Sequence, residues 1–120
     1  MFEGPTPIFK APPFRCSDWF NAQNAFCVDG LSMDRAELER YRAPTLEALA
    51  QIAGKVAGVR VWDAFPILCP GEKCDASVDG HPLFYDGDHI SGYANRLLLP
   101  YFEKEIESVG GTPVPNAAAQ

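Results

Sequence analysis

The chain is short of positive charge. Its 10 lysines and arginines face 16 aspartates and glutamates, for a net charge of −6. No basic patch is available to neutralise phosphates, which argues against nucleic acid as a partner. The same deficit gives no reason to expect binding to anionic lipid. Long apolar runs are also missing, and none approaches the ~20 residues of a membrane span. Met1 leads into Phe2-Glu3-Gly4-Pro5 rather than into a charged segment and an apolar stretch, so no signal peptide is expected here. Histidine is scarce, with 2 in the chain, His81 and His89. No serine carries the signature of a nucleophile. Ser17, Ser32, Ser77 and Ser108 each lack a nucleophile elbow, a Gly-Asp-Ser turn or an adjacent oxyanion glycine.

What is present suits one small domain. A chain of 120 residues with 47% hydrophobic and 22% charged residues can bury a real core. The 11 prolines and 10 glycines are slightly many, and most fall near the ends and around 66–82. Four cysteines stand at 16, 27, 69 and 74. Their two close pairs point to bridges Cys16–Cys27 and Cys69–Cys74, although four cysteines allow three pairings. Bridges would imply an oxidising compartment. Zinc is the other reading. The Cys69-to-Cys74 spacing is wide for a zinc knuckle, and Cys16 and Cys27 do not make a matching second one, so disulfides are favoured.

Along the chain, residues 1–30 read as irregular. Pro5, Pro7, Pro12 and Pro13 argue against helix there. Phe2, Ile8, Phe9, Phe14, Trp19, Phe20 and Phe26 are too apolar for a free tail, which predicts a loop pinned onto a core; an aromatic-lined groove is the alternative. A helix is predicted from Ser32 or Asp34, with Asp34 and Glu37 as a capping box. Leu38, Tyr41, Leu46, Leu49, Ile52, Ala53 and Val56 recur at helical spacing as its apolar face. Pro44 predicts a kink or a break into two helices. Gly58 ends the helix and Val59 to Asp63 alternates as a strand. Residues 66–82 read as a loop with Asp79-Gly80 as a turn. Leu83-Phe84-Tyr85 reads as short extended chain. A last helix runs from Ser91 to about Val109, with a kink at Pro100 and an apolar side of Tyr93, Ala94, Leu97, Leu98, Tyr101, Phe102 and Ile106. Residues 1–109 thus form the domain, and 110–120 are expected to be a disordered tail.

The turn Asp86-Gly87-Asp88-His89 holds the chemistry. A carboxylate three residues before a histidine can accept a hydrogen bond from the imidazole and hold it as a general base. The bland alternative is that Asp86 caps the last helix and His89 merely packs. The turn's place between a strand-like segment and a helix favours the catalytic reading, because α/β folds put reactive groups there. Asp88 is a rival partner, but neighbours on a turn usually point apart. His81 precedes Pro82 and reads as surface. A metal site from His81, Asp86, Asp88 and His89 lacks the i, i+4 pairing that sets two ligands on one helix face, and no metal is expected. Ser91 is too close along the chain to be activated by His89 and reads as a helix cap.

These residues also make an ordered set: Val61-Trp62-Asp63, Leu68-Cys69-Pro70, Cys74, Pro82-Leu83-Phe84-Tyr85-Asp86, Asp88-His89-Ile90-Ser91 and Tyr93-Ala94. The set resembles the C-terminal part of an SGNH hydrolase-like domain, of the kind fused behind the membrane acyltransferase-3 domain in bacterial envelope O-acetyltransferases. The chain has Phe84-Tyr85 where leucine-tyrosine is usual in that family, and Ile90 where leucine is usual. Residues 59–106 match well and 5–58 loosely.

The resemblance implies the C-terminal half of a flavodoxin-like α/β/α sandwich with an incomplete sheet, the start at Phe2 being the end of a central strand. It implies that Asp86 and His89 are the final catalytic block of a Ser-His-Asp triad, with no cofactor. The serine, in a Gly-Asp-Ser block, and the oxyanion glycine and asparagine would lie before Met1. The full enzyme would move an acyl group from serine to a polysaccharide hydroxyl or to water in the periplasm, and this chain alone would be inactive. Two rivals remain. One is a non-enzymatic disulfide-stapled module that binds a partner through its aromatic N-terminal loop. The other is half of a split enzyme, with the serine half on another chain.

Overall fold

The computed structural model describes residues 1–110. The tail assigned to 110–120 lies outside the described residues from 111 onward. In chain order the elements are β1 (Phe2–Glu3), α1 (Pro13–Cys16), α2 (Ala25–Gly30), β2 (Ser32–Asp34), α3 (Arg35–Lys55), β3 (Val61–Trp62), α4 (Phe65–Leu68), β4 (Lys73–Asp75), β5 (Ser77–Val78), β6 (His81–Pro82) and α5 (Gly92–Ser108). This is mixed α/β structure with small sheets. β1 and β3 pair in parallel, Phe2 opposite Val61 and Glu3 opposite Trp62. Parallel pairing needs a long crossover, and α3 lies within it. β2 and β4 pair antiparallel with Met33 opposite Cys74. β5 and β6 form a hairpin whose two loop residues, Asp79 and Gly80, both have positive φ. That backbone matches the right-handed twist of the flanking strands.

Several expectations from the sequence need correction. Pro12 and Pro13 do not exclude helix. Pro13 opens α1, where its missing N–H would have had no intrahelical partner and its φ is already helical. The 66–82 segment is not a loop but carries the end of α4, β4 and the β5–β6 hairpin. The strand expected over 59–63 is ladder-paired only at Val61 and Trp62. Leu83-Phe84-Tyr85, expected as short extended chain, joins no ladder but is held by one antiparallel bridge, Phe84 opposite Ile90, and by the Leu83 N–H on the Ala76 carbonyl at 2.8 Å.

α3 starts at the expected place, but without the capping box. The Asp34 side chain makes no cap bond. Its carboxylate instead meets Lys73 Nζ across the β2–β4 pair at 2.6 Å. The first helical N–H, of Arg35, donates to the Glu72 carbonyl at 2.9 Å. The helix then runs unbroken through Pro44. Pro44 is exposed, so water can reach the carbonyl it leaves unpaired. Pro100 is likewise exposed inside the continuous α5. The apolar face of α3 is only partly used. Leu38 is buried, but Tyr41, Ile52 and Val56 are exposed. The second buried residue of the helix is a cation, Arg42.

Arg42 ties three segments together. Its Nε donates to the Pro5 carbonyl at 3.1 Å. Its Nη2 donates to Asp63 just after β3. Its guanidinium lies 4.3 Å from the centre of the Phe65 ring. Asp63 also accepts from the Phe65 N–H at 3.1 Å, which starts α4. On the neighbouring residue, Trp62 packs edge-on against Phe102 of α5 at 4.9 Å. Successive side chains of an extended chain point to opposite sides. α3 and α5 therefore approach β3 from its two sides. The main core gathers Phe9, Phe65, Leu68, Phe84, Ala94 and Leu98 with the Cys69–Cys74 bridge. A small second cluster surrounds the Cys16–Cys27 bridge.

Candidate active site

The 84–90 segment is a tight loop closed by backbone bonds. Phe84 and Ile90 form its base, and the Tyr85 N–H donates to the His89 carbonyl at 2.8 Å. The Ser91 N–H donates to the Leu83 carbonyl at 2.8 Å. The loop is moored to the first segment of the chain, where the Phe9 N–H donates to the Gly87 carbonyl at 2.8 Å. Gly87 is required by this approach, because a Cβ there would sit 2.9 Å from the Phe9 carbonyl oxygen. The Thr6 hydroxyl adds a bond to the Asp88 carbonyl at 3.3 Å. Below the loop, Ser91 caps α5. Its Oγ accepts from the Ala94 N–H at 3.1 Å and donates to the Pro82 carbonyl at 2.7 Å. The cap is therefore Ser91 and not Asp86, which leaves Asp86 free for His89.

Asp86 curls the loop around its own carboxylate. Oδ1 accepts the backbone N–H of Asp88 at 3.1 Å and of His89 at 2.8 Å. The same carboxylate takes the imidazole, with His89 Nδ1 2.8 Å from Oδ2. Because an ionised carboxylate only accepts, the Nδ1 proton points into the pair and Nε2 of the neutral ring carries the free lone pair. The His89 side chain is 77% exposed, so Nε2 is accessible. Asp88 was expected to point away, yet its Oδ1 lies 3.1 Å from the same Nδ1. Both N–H groups of the Asp88-His89 pair are anchored on one oxygen of Asp86, and this curvature brings the Asp88 side chain round.

The electrostatics follow from these contacts. The backbone N–H bonds from His89 and then Asp88, with the imidazole added, hold the Asp86 carboxyl well below the usual carboxylate range. His89 is raised above the ordinary imidazole value, first by its hydrogen bond to Asp86 and then by the charges of Asp86 and Asp88. This is a carboxylate–imidazole pair with a fixed tautomer and an outward-facing base. It can accept a proton from a hydroxyl delivered to Nε2.

The other sequence candidates lie elsewhere. His81 sits in β6 with its ring stacked on Tyr93, 4.6 Å between centres, and is not part of the cluster. Asp86, Asp88 and His89 have potential ligand atoms within 4.8 Å of one another. Those atoms are engaged with each other, and exposed acidic groups commonly gather without an ion. Cys16–Cys27 and Cys69–Cys74 are both bridged, with Cα separations of 5.5 and 4.7 Å, so neither pair offers a thiolate or a zinc ligand in this state. Among the described residues no serine is hydrogen-bonded to His89. Ser17 and Ser108 bond to carbonyls of their own turns, Ser32 bonds to Asp75, and Ser91 is a cap. The sequence reading set Asp88 aside as a rival pointing away, and it missed the mooring role of Gly87 and the contact of the Phe14 and Tyr85 rings, 5.2 Å between centres. The one signal for the last was the alternation of a core residue at 84 with an aromatic at 85.

The mixed α/β fold, with a histidine held on a carboxylate at the head of its last helix, fits a hydrolase or acyltransferase-like domain. A family model described as the SGNH domain (fused to AT3 domains) matches residues 4–104. The chain belongs to this family. No curated protein and no solved structure matches it. Among the described residues no helix is long and apolar enough to cross a membrane.

Proposed function

We propose that Asp86 and His89 are the orienter and general base of a Ser-His-Asp triad that moves acyl groups on envelope polysaccharide. The observation that carries this reading is the 2.8 Å bond from His89 Nδ1 to Asp86 with the ring otherwise exposed. In the reaction His89 Nε2 takes the proton of a serine hydroxyl as the serine oxygen attacks the acyl donor. The imidazolium then returns that proton to the donor's leaving group. In the second half His89 deprotonates a sugar hydroxyl, or water, whose oxygen takes the acyl group, and the imidazolium returns that proton to the departing serine oxygen, which restores both the serine hydroxyl and the neutral base. Asp86 holds the imidazole in the right tautomer and stabilises the imidazolium throughout.

The serine and the oxyanion donors come, in this reading, from polypeptide outside these 120 residues, preceding them or on another chain. The open edge of the parallel pair supports this. Parallel sheets occur with both faces covered, yet among the described residues β1 pairs with β3 alone, and beside it runs an apolar groove of about 560 Å³ lined by Met1, Phe2, Trp62, Leu98, Leu99 and Phe102. Further strands added there would complete a flavodoxin-like sheet.

The test is hydrolysis of a chromogenic acetyl ester. The chain alone should be no faster than its His89→Ala variant. Joined to an SGNH half that carries the Gly-Asp-Ser block, it should become active. His89→Gln should then cost about 10⁴-fold or more in kcat, and Asp86→Asn a comparable factor. Hydrolysis by the chain alone that depends on His89 would show that the nucleophile lies within it. A joined enzyme indifferent to His89→Gln would refute the base assignment.

A further inference from the structure

We propose that Phe14 and Tyr85 form a stacking platform that binds a neutral pyranose ring of the acceptor beside His89. The placement next to a reacting hydroxyl rests on the acyl-transfer reading above; the sugar contact itself does not.

The loop geometry puts Tyr85 and His89 on one face. Phe84 and Ile90 are bridged, and Tyr85 and His89 are the next opposed pair, joined by a backbone bond of 2.8 Å. Directly opposed residues of an antiparallel pair project from the same side, with Cβ atoms about 5 Å apart. Phe84 turns into the core and is fully buried. The alternation therefore sends Tyr85 and His89 outward together. Tyr85 is 61% exposed although it is a large aromatic.

A second ring extends this surface. Phe14 lies 5.2 Å from Tyr85, centre to centre, with the planes inclined by 35°. It comes from α1, where Pro13 and Cys16 are buried and the Cys16–Cys27 bridge fixes the helix. Phe14 is thereby pushed outward and remains 53% exposed. Neither ring fills the core, since Phe9 and Phe84 already make that contact at 5.0 Å. Neither lines the apolar groove beside β1. The pair is an open apolar surface and not a slot, which suits the face of a ring better than a protruding side chain.

The polar rim selects the ligand. His89 is opposed to Tyr85 across the loop, and the Asp86 and Asp88 carboxylates that meet its ring join it in a rim able to bond hydroxyl groups. In a chain of net charge −6 these carboxylates repel phosphate or carboxylate ligands. A neutral sugar ring has an apolar C–H face for Tyr85 and Phe14, and hydroxyls at its edge for the rim.

The test is an amide-resolved NMR titration of the 120-residue chain with maltotriose and with N-acetylchitotriose. At least one should shift the amides of Phe14, Tyr85 and His89. Tyr85→Ala and Phe14→Ala should each weaken binding about tenfold. Tyr85→Phe should bind normally, which controls for folding. Trp19→Ala, at an exposed aromatic outside the platform, should bind normally, and the catalytic role of His89 is read separately in the ester assay of the joined enzyme. Shifts confined to other residues, no shifts with either sugar, or binding unchanged in Tyr85→Ala would overturn the proposal. So would platform amides that move with protein concentration alone, because the surface would then be a contact between copies.

Discussion

Replacing Asp63 by asparagine should destabilise the chain more than any change at the exposed site. The substitution keeps the shape and the acceptor for the Phe65 N–H, and removes one charge. Arg42 is left 7% exposed, bonded to the Pro5 carbonyl and stacked on Phe65, with its counter-ion gone. Breaking a buried pair from one side costs about 3–5 kcal/mol. The Asp63 side chain is 28% exposed, so water can partly replace it and the expected loss falls to about 2–3 kcal/mol. For a domain of this size each kcal/mol moves Tm by roughly 3–6 °C, so a fall of roughly 6–18 °C is expected. Thermal and urea unfolding followed by circular dichroism would measure it. Arg42→Met keeps an apolar stem over Phe65 and removes the stranded cation. The double variant Arg42→Met with Asp63→Asn should therefore be less destabilised than the sum of the singles, by about 1–3 kcal/mol. A loss below about 0.5 kcal/mol in Asp63→Asn, within the range of ordinary surface changes, would refute the reasoning. Strict additivity of the two would do the same.

Two further outcomes are expected. Asp86→Asn should bring the His89 pKa back down toward the ordinary imidazole value, seen in the ring proton shifts against pH. Because the folded His89 value is raised, its stabilising share is complete below the ordinary imidazole value and is lost as pH rises through the raised one; Asp86→Asn should flatten that dependence. An unchanged histidine titration would mean that the pair is not formed in solution. Removing the Cys16–Cys27 bridge, which closes a loop of sequence separation 11, should cost about 3 kcal/mol by loop-closure entropy and speed amide exchange in α1 and α2. Exchange unaltered there would show that Phe14 is held by packing alone.

The site was more legible than the scaffold around it. Asp86 and His89 were readable because a three-residue spacing on a turn lets the side chains meet, and their place between an extended segment and a helix favoured that over a capping Asp86. Ser91 was readable as a cap for the same local reason. Asp88 was not, because its direction depends on two amides binding one oxygen of Asp86. β2 and β4 were missed because each is 3 residues long and exists only through its partner. The apolar periodicity of α3 correctly marked a helix, but periodicity says nothing of how much of a face another element covers.

The sequence by itself determined what local chemistry controls: helix α5 and its cap, the Asp79-Gly80 turn, the family, and a histidine beside a carboxylate; among three possible cysteine pairings it only favoured the one the structure has. Only the tertiary structure decided what depends on distant segments meeting. It set Phe2 beside Val61, buried Arg42 against Asp63, moored Gly87 to Phe9 and laid Phe14 on Tyr85. Each of these joins residues at least 20 positions apart. No spacing rule reaches that far, because closing so long a stretch of chain is favourable only when the rest of the core closes with it.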